Sequence, residues 1–120
     1  MKGIDPTGPS IIYLMTHDGF RAIKVGIGAA SEVRVSSHAK YGWTLHAKWR
    51  VPTGKTAFAV EREILRWWRE DLGAPIAVDP RDMPQYGATE TAPLVFVDPD
   101  ETSDVIGRLI RVLSRDSADG

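Results

Sequence analysis

The stretch Ser10–Gly28, with the sequence SIIYLMTHDGFRAIKVGIG, decides the fold of this chain. It contains two apolar, β-prone runs on either side of an Asp18-Gly19 pair. An Asp-Gly pair between such runs is typical of a tight β-hairpin. We therefore predict a strand over 10–16, a turn, and a returning strand over 21–28.

The register of this hairpin predicts which side chains meet. A two-residue turn centred on Asp18 and Gly19 places Tyr13 directly opposite Lys24, with their Cβ atoms about 5 Å apart. This pair lies on the less apolar face, where Gly26 and Gly28 leave room for a bulky ligand or a close backbone. The other face is expected in the core, and it carries Ile12, Leu14, Ile23, Val25 and Ile27.

The rest of the chain alternates helical and extended patterns. Signals at helix ends and the hydrophobic periodicity predict six further segments. They are a helix over 31–41, a strand over 43–51, a helix over 56–72, a loop over 73–92, a short strand over 94–97 and a helix over 100–115. The pattern predicts one small α/β domain over 10–116, preceded by a loose tail over 1–9.

The composition narrows the class of protein. With 120 residues, 42% of them hydrophobic, the chain can bury one core. There is no cysteine, which excludes disulfides and thiolate zinc sites. No run reaches the roughly 18 apolar residues of a membrane span, and residues 1–10 lack the apolar part of a signal peptide. We therefore expect a cytoplasmic protein that does not enter the membrane.

The net charge of -1 hides a strong asymmetry. From Arg21 to Arg69 there are ten basic and three acidic residues, a net charge of +7, and the remainder carries -8. A basic half suggests a surface for a polyanion.

Glu61 breaks the pattern of the 56–72 helix. It points into the middle of an apolar stripe, where a carboxylate is costly unless it has a positive partner or a metal. Two interpretations stay open: a metal ligand, or a buried salt bridge to Arg34 or Lys24. The stripe consists of Ala57, Val60, Ile64, Leu65, Trp68 and Leu72.

The helix over 31–41 adds polar groups on one face. Arg34, His38 and Tyr41 stand at positions i, i+4 and i+7. With Tyr13, Lys24 and Glu61, they supply the groups needed to hydrolyse a phosphodiester: an arginine for the phosphate, a carboxylate for a hard cation, and a phenol or imidazole for a proton. The alternatives are a solvated helix face and an ordinary cross-strand pair.

In this order and spacing, the residues resemble the GIY-YIG nuclease domain over residues 10–92. Ile11-Ile12-Tyr13 stands where that family has Gly-Ile-Tyr, and Lys24-Val25-Gly26 where it has Tyr-Ile-Gly. Arg34 and His38 match the family's arginine and a frequent companion histidine, and Glu61 matches its metal-binding glutamate. A lysine in place of the second tyrosine is similar to a phage and bacterial branch.

The resemblance implies an α+β fold with a small three-stranded antiparallel sheet flanked by helices, extended here by a C-terminal strand and helix. It also implies an endonuclease that uses one Mg²⁺ or Mn²⁺ ion, with DNA favoured over RNA. By that analogy Tyr13 orients or deprotonates the attacking water with help from His38, and Arg34 binds the scissile phosphate. Glu61 holds the metal, and Lys24 acts electrostatically. Further contacts to the nucleic acid are expected from Lys40, Tyr41, Lys48 and Lys55.

Two departures leave other functions open. The second tyrosine is absent, and the chain has no asparagine, which many family members carry late in the domain. Thr89, Glu90 and Thr91 are the candidates to replace that asparagine in the site wall. The first alternative is a nucleic-acid-binding module that has lost cleavage. The second is an interaction or regulatory domain, with a protein partner or a homodimer formed through the C-terminal helix.

Overall fold

The computed structural model describes residues 5–30, 33–84 and 87–119. Over these residues it is an α+β fold in which a four-stranded antiparallel sheet packs against three α-helices. The elements are β1 (Ser10–His17), β2 (Ala22–Ala29), α1 (Val33–Ala39), β3 (Thr44–Val51), α2 (Gly54–Arg66), β4 (Thr91–Pro93) and α3 (Pro99–Asp119). A π-helical turn, Trp67–Asp71, continues α2, and short 3₁₀ turns lie at Pro80–Asp82 and Ala88–Glu90.

The sheet has the order β3-β1-β2-β4, so the first strand is central. The predicted three-stranded sheet is extended by β4, which pairs with β2 at Thr91–Pro93. The predicted strand over 94–97 is therefore wrong by a few residues. Pro93 cannot donate a ladder hydrogen bond, and the chain turns directly after it, with Phe96 N–H donating to the Pro93 carbonyl at 3.0 Å.

The hairpin register differs from the prediction by two residues. Tyr13 lies opposite Gly26, and Lys24 lies opposite Met15. The connection has four residues because Arg21 adopts the left-handed region (φ 50°) and its N–H donates to the Asp18 carbonyl at 3.2 Å. A shift of two residues preserves the faces of the strands, so Tyr13 and Lys24 remain on the same face of the sheet.

One face of the sheet packs against α2 and α3 to form the main core. The strand residues predicted for this core are all buried there: Ile12, Leu14, Ile23, Val25 and Ile27. Ala57, Val60 and Ile64 of α2 and Trp68 of the π-helical turn are buried against them, as the helical stripe predicted. From α3, Ile106 is fully buried, whereas Val112 is 56% exposed.

The other face of the sheet is also covered. A second apolar cluster joins Ile11, Tyr13 and Met15 of β1 to Trp43 and to Met83 in the segment between α2 and β4. The expectation of a less apolar face with room for a bulky ligand is therefore wrong, because this layer closes over it. Both Tyr13 and Lys24 are 0% exposed as a result.

The start of α2 is fixed by two sets of contacts. The Thr53 hydroxyl caps the helix by accepting from Thr56 N–H at 3.2 Å. Gly54 N–H donates to the Asp5 carbonyl and Lys55 N–H to the Pro6 carbonyl, at 3.2 and 3.1 Å. Part of the predicted tail is thus tied to the domain, and residues 1–4 lie outside the described residues. Among the described helices, none combines the length and the hydrophobicity required to cross a bilayer.

Candidate active site

The fold brings together the five side chains expected to act in catalysis. Tyr13 comes from β1, Lys24 from β2, Arg34 and His38 from α1, and Glu61 from α2. The charges of Lys24 and Arg34 shift the pKa values of both His38 and Glu61, so the five groups share one electrostatic environment. Groups that act together in catalysis have to lie close to one another in this way.

Tyr13 and His38 form a buried hydrogen-bonded pair. The phenol oxygen lies 3.1 Å from His38 Nε2, and His38 is 2% exposed. Burial, reinforced by the cations Lys24 and Arg34, lowers the pKa of His38 to about 4, so the imidazole is neutral at pH 7. It can therefore accept the phenol proton at Nε2. The other nitrogen, Nδ1, is buried without a hydrogen-bond partner among the described residues.

The Tyr13 phenol stays protonated in this environment. Burial raises its pKa above the ordinary value, and the charges of Glu90 and Glu61 add to the effect. Arg34 opposes the rise through its positive charge. A neutral phenol beside a neutral imidazole can pass a proton on, but it is not a free phenolate base.

Glu61 is a buried carboxylate with an open ligand position. It is 8% exposed, and its Oε2 has no hydrogen-bond partner among the described residues. Burial raises the pKa of Glu61 to about 7, helped by the charge of Glu90 and opposed by those of Lys24 and Arg34. Within residues 5–30, 33–84 and 87–119, Glu61 makes no salt bridge. The alternative interpretation, a buried salt bridge from Glu61 to Arg34 or Lys24, is therefore wrong for these residues.

The cation of Lys24 is instead paired with Glu90. Lys24 Nζ donates to Glu90 Oε2 at 2.6 Å and lies 5.7 Å from the centre of the Tyr13 ring. Gly87 has φ 105° and lies against the ammonium group, where a Cβ would overlap Nζ. Glu90 is thus the member of the 89–91 segment that joins the polar cluster of Tyr13, Lys24, Arg34, His38 and Glu61.

The other two members of that segment have structural roles. The Thr91 hydroxyl donates to the Ala88 carbonyl at 2.7 Å and accepts from Ala77 N–H. Thr89 is exposed, and its carbonyl accepts from Arg69. Neither threonine therefore replaces the missing asparagine in the cluster.

A regular helical projection of residues 56–72 predicts Arg69 on the solvent face, but in the structure Arg69 holds the Glu90 segment in place. Its guanidinium donates to the carbonyls of Ala74, Pro75, Thr89 and Thr91 at 2.6–3.1 Å. The π-helical turn changes the direction of the side chains that follow α2, which a regular helical projection cannot anticipate. In the sequence, the feature that could have indicated this role is an arginine directly after Trp68 of the apolar stripe.

The glycines of β2 serve the protein's own side chains. A Cβ at Gly26 would overlap the Tyr13 phenol, so this glycine makes room for Tyr13 and not for a ligand. A Cβ at Gly28 would lie 3.6 Å from Arg34 Cβ, which places Arg34 over the end of β2.

The four residues expected to bind nucleic acid are exposed, but only one lies beside the cluster. Lys48 is the cross-strand neighbour of Tyr13 on β3. Lys40 and Tyr41 follow α1 near the hairpin turn, where the Tyr41 carbonyl is 3.0 Å from His17 Nε2. Lys55 lies at the opposite end of β1, beside Pro6. The structure therefore does not gather these four residues into one patch.

What the described residues could offer a divalent ion is limited to one side chain. No group of three or more histidine, aspartate or glutamate side chains in the described ranges is arranged to hold a metal. The open oxygen of Glu61 offers one carboxylate, and Mg²⁺ commonly binds through one or two carboxylates together with waters and substrate phosphates.

Comparisons of the chain with protein-family models, curated proteins and solved structures gave no significant match. The resemblance to the GIY-YIG nuclease domain therefore stays a prediction from the sequence.

Proposed function

We propose that this chain is a divalent-metal-dependent endonuclease that hydrolyses phosphodiester bonds in nucleic acid, with DNA as the favoured substrate. The observation that supports this most strongly is the state of Glu61, which is 8% exposed and has an oxygen without a partner. An uncompensated buried carboxylate lowers stability, and perturbed groups of this kind concentrate at functional sites. Its neighbours in the cluster are the groups that phosphodiester hydrolysis requires.

In this proposal each charged residue has one task. Arg34 binds the non-bridging oxygens of the scissile phosphate and balances the charge that develops on them. Glu61 would hold a Mg²⁺ or Mn²⁺ ion, and such an ion would supply positive charge for the oxygen that leaves. Lys24 adds positive potential beside Tyr13 and is kept in position by Glu90.

Tyr13 and His38 carry the proton. As water attacks phosphorus, its proton passes to the Tyr13 oxygen while the phenol proton passes to His38 Nε2. The P–O bond to the leaving group breaks with its electron pair going to the leaving oxygen, which takes up a proton from solvent. His38, now an imidazolium, loses its proton to solvent and returns to the neutral state. The 3.1 Å contact between the Tyr13 hydroxyl and His38 Nε2 supports this route for the proton, and the imidazole is unprotonated at pH 7 and can therefore accept it.

A second candidate is a nucleic-acid-binding module of the same fold that does not cleave. It is favoured by the closure of the cluster, since Tyr13 and Lys24 are 0% exposed. A phosphate can reach Tyr13 only if the covering residues move apart. In this case Tyr13, His38 and the Lys24–Glu90 pair are core elements, and the exposed cations do the binding.

A plasmid-nicking assay separates the two candidates. The wild-type protein is incubated with supercoiled DNA and Mg²⁺ or Mn²⁺, beside Glu61→Gln, Arg34→Ala and the control Arg108→Ala. We expect metal-dependent nicking that both site variants lose and that the control, on an exposed part of α3, retains. Equal nicking by wild type and Glu61→Gln would contradict the proposed function. Salt-sensitive binding without nicking would support the second candidate.

A further inference from the structure

The edge strand β3 carries two cations on the same sheet face as Tyr13. Lys48 is the cross-strand partner of Tyr13, and Arg50 is the partner of Ile11. Directly paired residues in an antiparallel ladder point to the same face. Lys48 and Arg50 therefore lie next to the buried cluster, about 7 Å apart along the strand.

The same ladder relates Arg50 to Arg34. Ile11 pairs with Gly28 on one side and with Arg50 on the other, so these three residues form one row across the sheet. Arg34 lies over Gly28. Two strand spacings separate Gly28 from Arg50, which is about 10 Å. A chain of phosphates that has one phosphate at Arg34 can therefore reach Arg50 within a few nucleotides.

Exposure and charge make this strand suited to a polyanion. Lys48 and Arg50 are both exposed, and β3 (TLHAKWRV) contains no acidic residue. Arg50 forms no salt bridge with another described residue, whereas Lys24 forms one with Glu90.

We infer that the sugar–phosphate backbone of the nucleic acid runs along β3, with Lys48 and Arg50 binding phosphates next to the one held by Arg34. This inference rests on the nucleic-acid binding in the proposed function and does not require cleavage. It assigns a role to Arg50. We call this path of the phosphates along Lys48 and Arg50 the β3 track, and Lys40 and Tyr41 are not part of it because they lie at the other end of β1.

The test measures the affinity for a fluorescently labelled DNA duplex over a series of salt concentrations, with a chelator present to prevent cleavage. The variants are Arg50→Ala, the charge-preserving Arg50→Lys, the double variant Lys48→Ala/Arg50→Ala and the control Arg108→Ala. Loss of one phosphate contact lowers the slope of log affinity against log salt by about 0.9. We expect that decrease for Arg50→Ala and about twice that decrease for the double variant.

The controls distinguish binding of the nucleic acid along the β3 track from binding by positive surface charge in general. Arg50→Lys should keep the wild-type slope, and so should Arg108→Ala, because that arginine lies on α3 across the sheet. A wild-type slope in Arg50→Ala, or an equal loss in Arg108→Ala, overturns the inference. If wild type nicks DNA while Arg50→Ala binds normally, the track fails and the proposed function stands. If wild type neither binds nor nicks, the proposed function fails as well.

Discussion

Replacing Glu61 by Gln should make the protein more stable at alkaline pH. Folding raises the pKa of this carboxyl from 4.5 to about 7, mainly through burial. The folded state therefore binds the proton more tightly than the unfolded state. The stabilisation of the folded state by the bound proton is complete below the unfolded pKa of 4.5, and it is lost as the pH rises through about 7. The difference corresponds to about 3 kcal/mol at pH values well above 7.

Gln is close in shape to a protonated Glu and does not ionise. We therefore expect Glu61→Gln to exceed wild type by about 2–3 kcal/mol in free energy of unfolding near pH 8, and to match it near pH 4. Urea denaturation followed by tryptophan fluorescence, with a chelator present, measures both values. The control is Glu63→Gln, whose carboxylate is half-exposed in a salt bridge with Arg66 and should change the free energy by less than about 0.5 kcal/mol.

A lower free energy of unfolding for Glu61→Gln than for wild type near pH 8 would refute this expectation. Such a result would mean that the carboxylate belongs to a stabilising ion pair, because removing one partner of a buried pair costs about 3–5 kcal/mol. A second readout is the effect of Mg²⁺ on thermal unfolding. A ligand that binds only the folded state raises its stability, so Mg²⁺ should stabilise wild type more than Glu61→Gln.

Three further substitutions test the residues that hold the five groups together. Folding lowers the pKa of His38 from 6.5 to about 4, so the neutral imidazole stabilises the folded state fully above pH 6.5 and this stabilisation is lost as the pH falls. His38→Gln should therefore reduce the loss of unfolding free energy in acid by about 2 kcal/mol, measured by urea denaturation, and an unchanged pH profile would contradict this. Gly26→Ala should cost at least about 1–3 kcal/mol because its methyl group would overlap the Tyr13 phenol, and calorimetry showing a wild-type Tm would refute that packing. Arg69→Lys should lose about 1–3 kcal/mol because a lysine cannot reach four carbonyls, and faster hydrogen exchange confined to the 87–91 segment is the expected signature.

Much of the fold follows from local patterns. Strand alternation placed Ile12 and Val25 in the core and kept Tyr13 and Lys24 on one face, and these assignments survive a two-residue error in register. The error itself came from Arg21, because an arginine in the left-handed region cannot be anticipated from turn statistics that favour Asp-Gly.

The candidate site was only partly predictable, for a different reason. The inward position of Glu61 follows from helical periodicity, which is a local property. The Lys24–Glu90 pair joins residues 66 positions apart, and no short pattern encodes such a contact. The closure over Tyr13 likewise depends on Trp43 and Met83, which come from separate segments. The sequence could suggest the groups of the site, but not which of them are neutralised or covered.

In the proposed function, Glu61 and Arg34 act together on one phosphate in a metal-dependent cleavage. The most direct measurement is single-turnover cleavage of an end-labelled DNA duplex, with enzyme in excess, for wild type, Glu61→Gln and Arg34→Ala. We expect a Mg²⁺- or Mn²⁺-dependent rate that falls at least about 100-fold in each variant, while Glu61→Gln retains binding without metal. Cleavage at the wild-type rate by Glu61→Gln, or no cleavage by wild type with either metal, would contradict it.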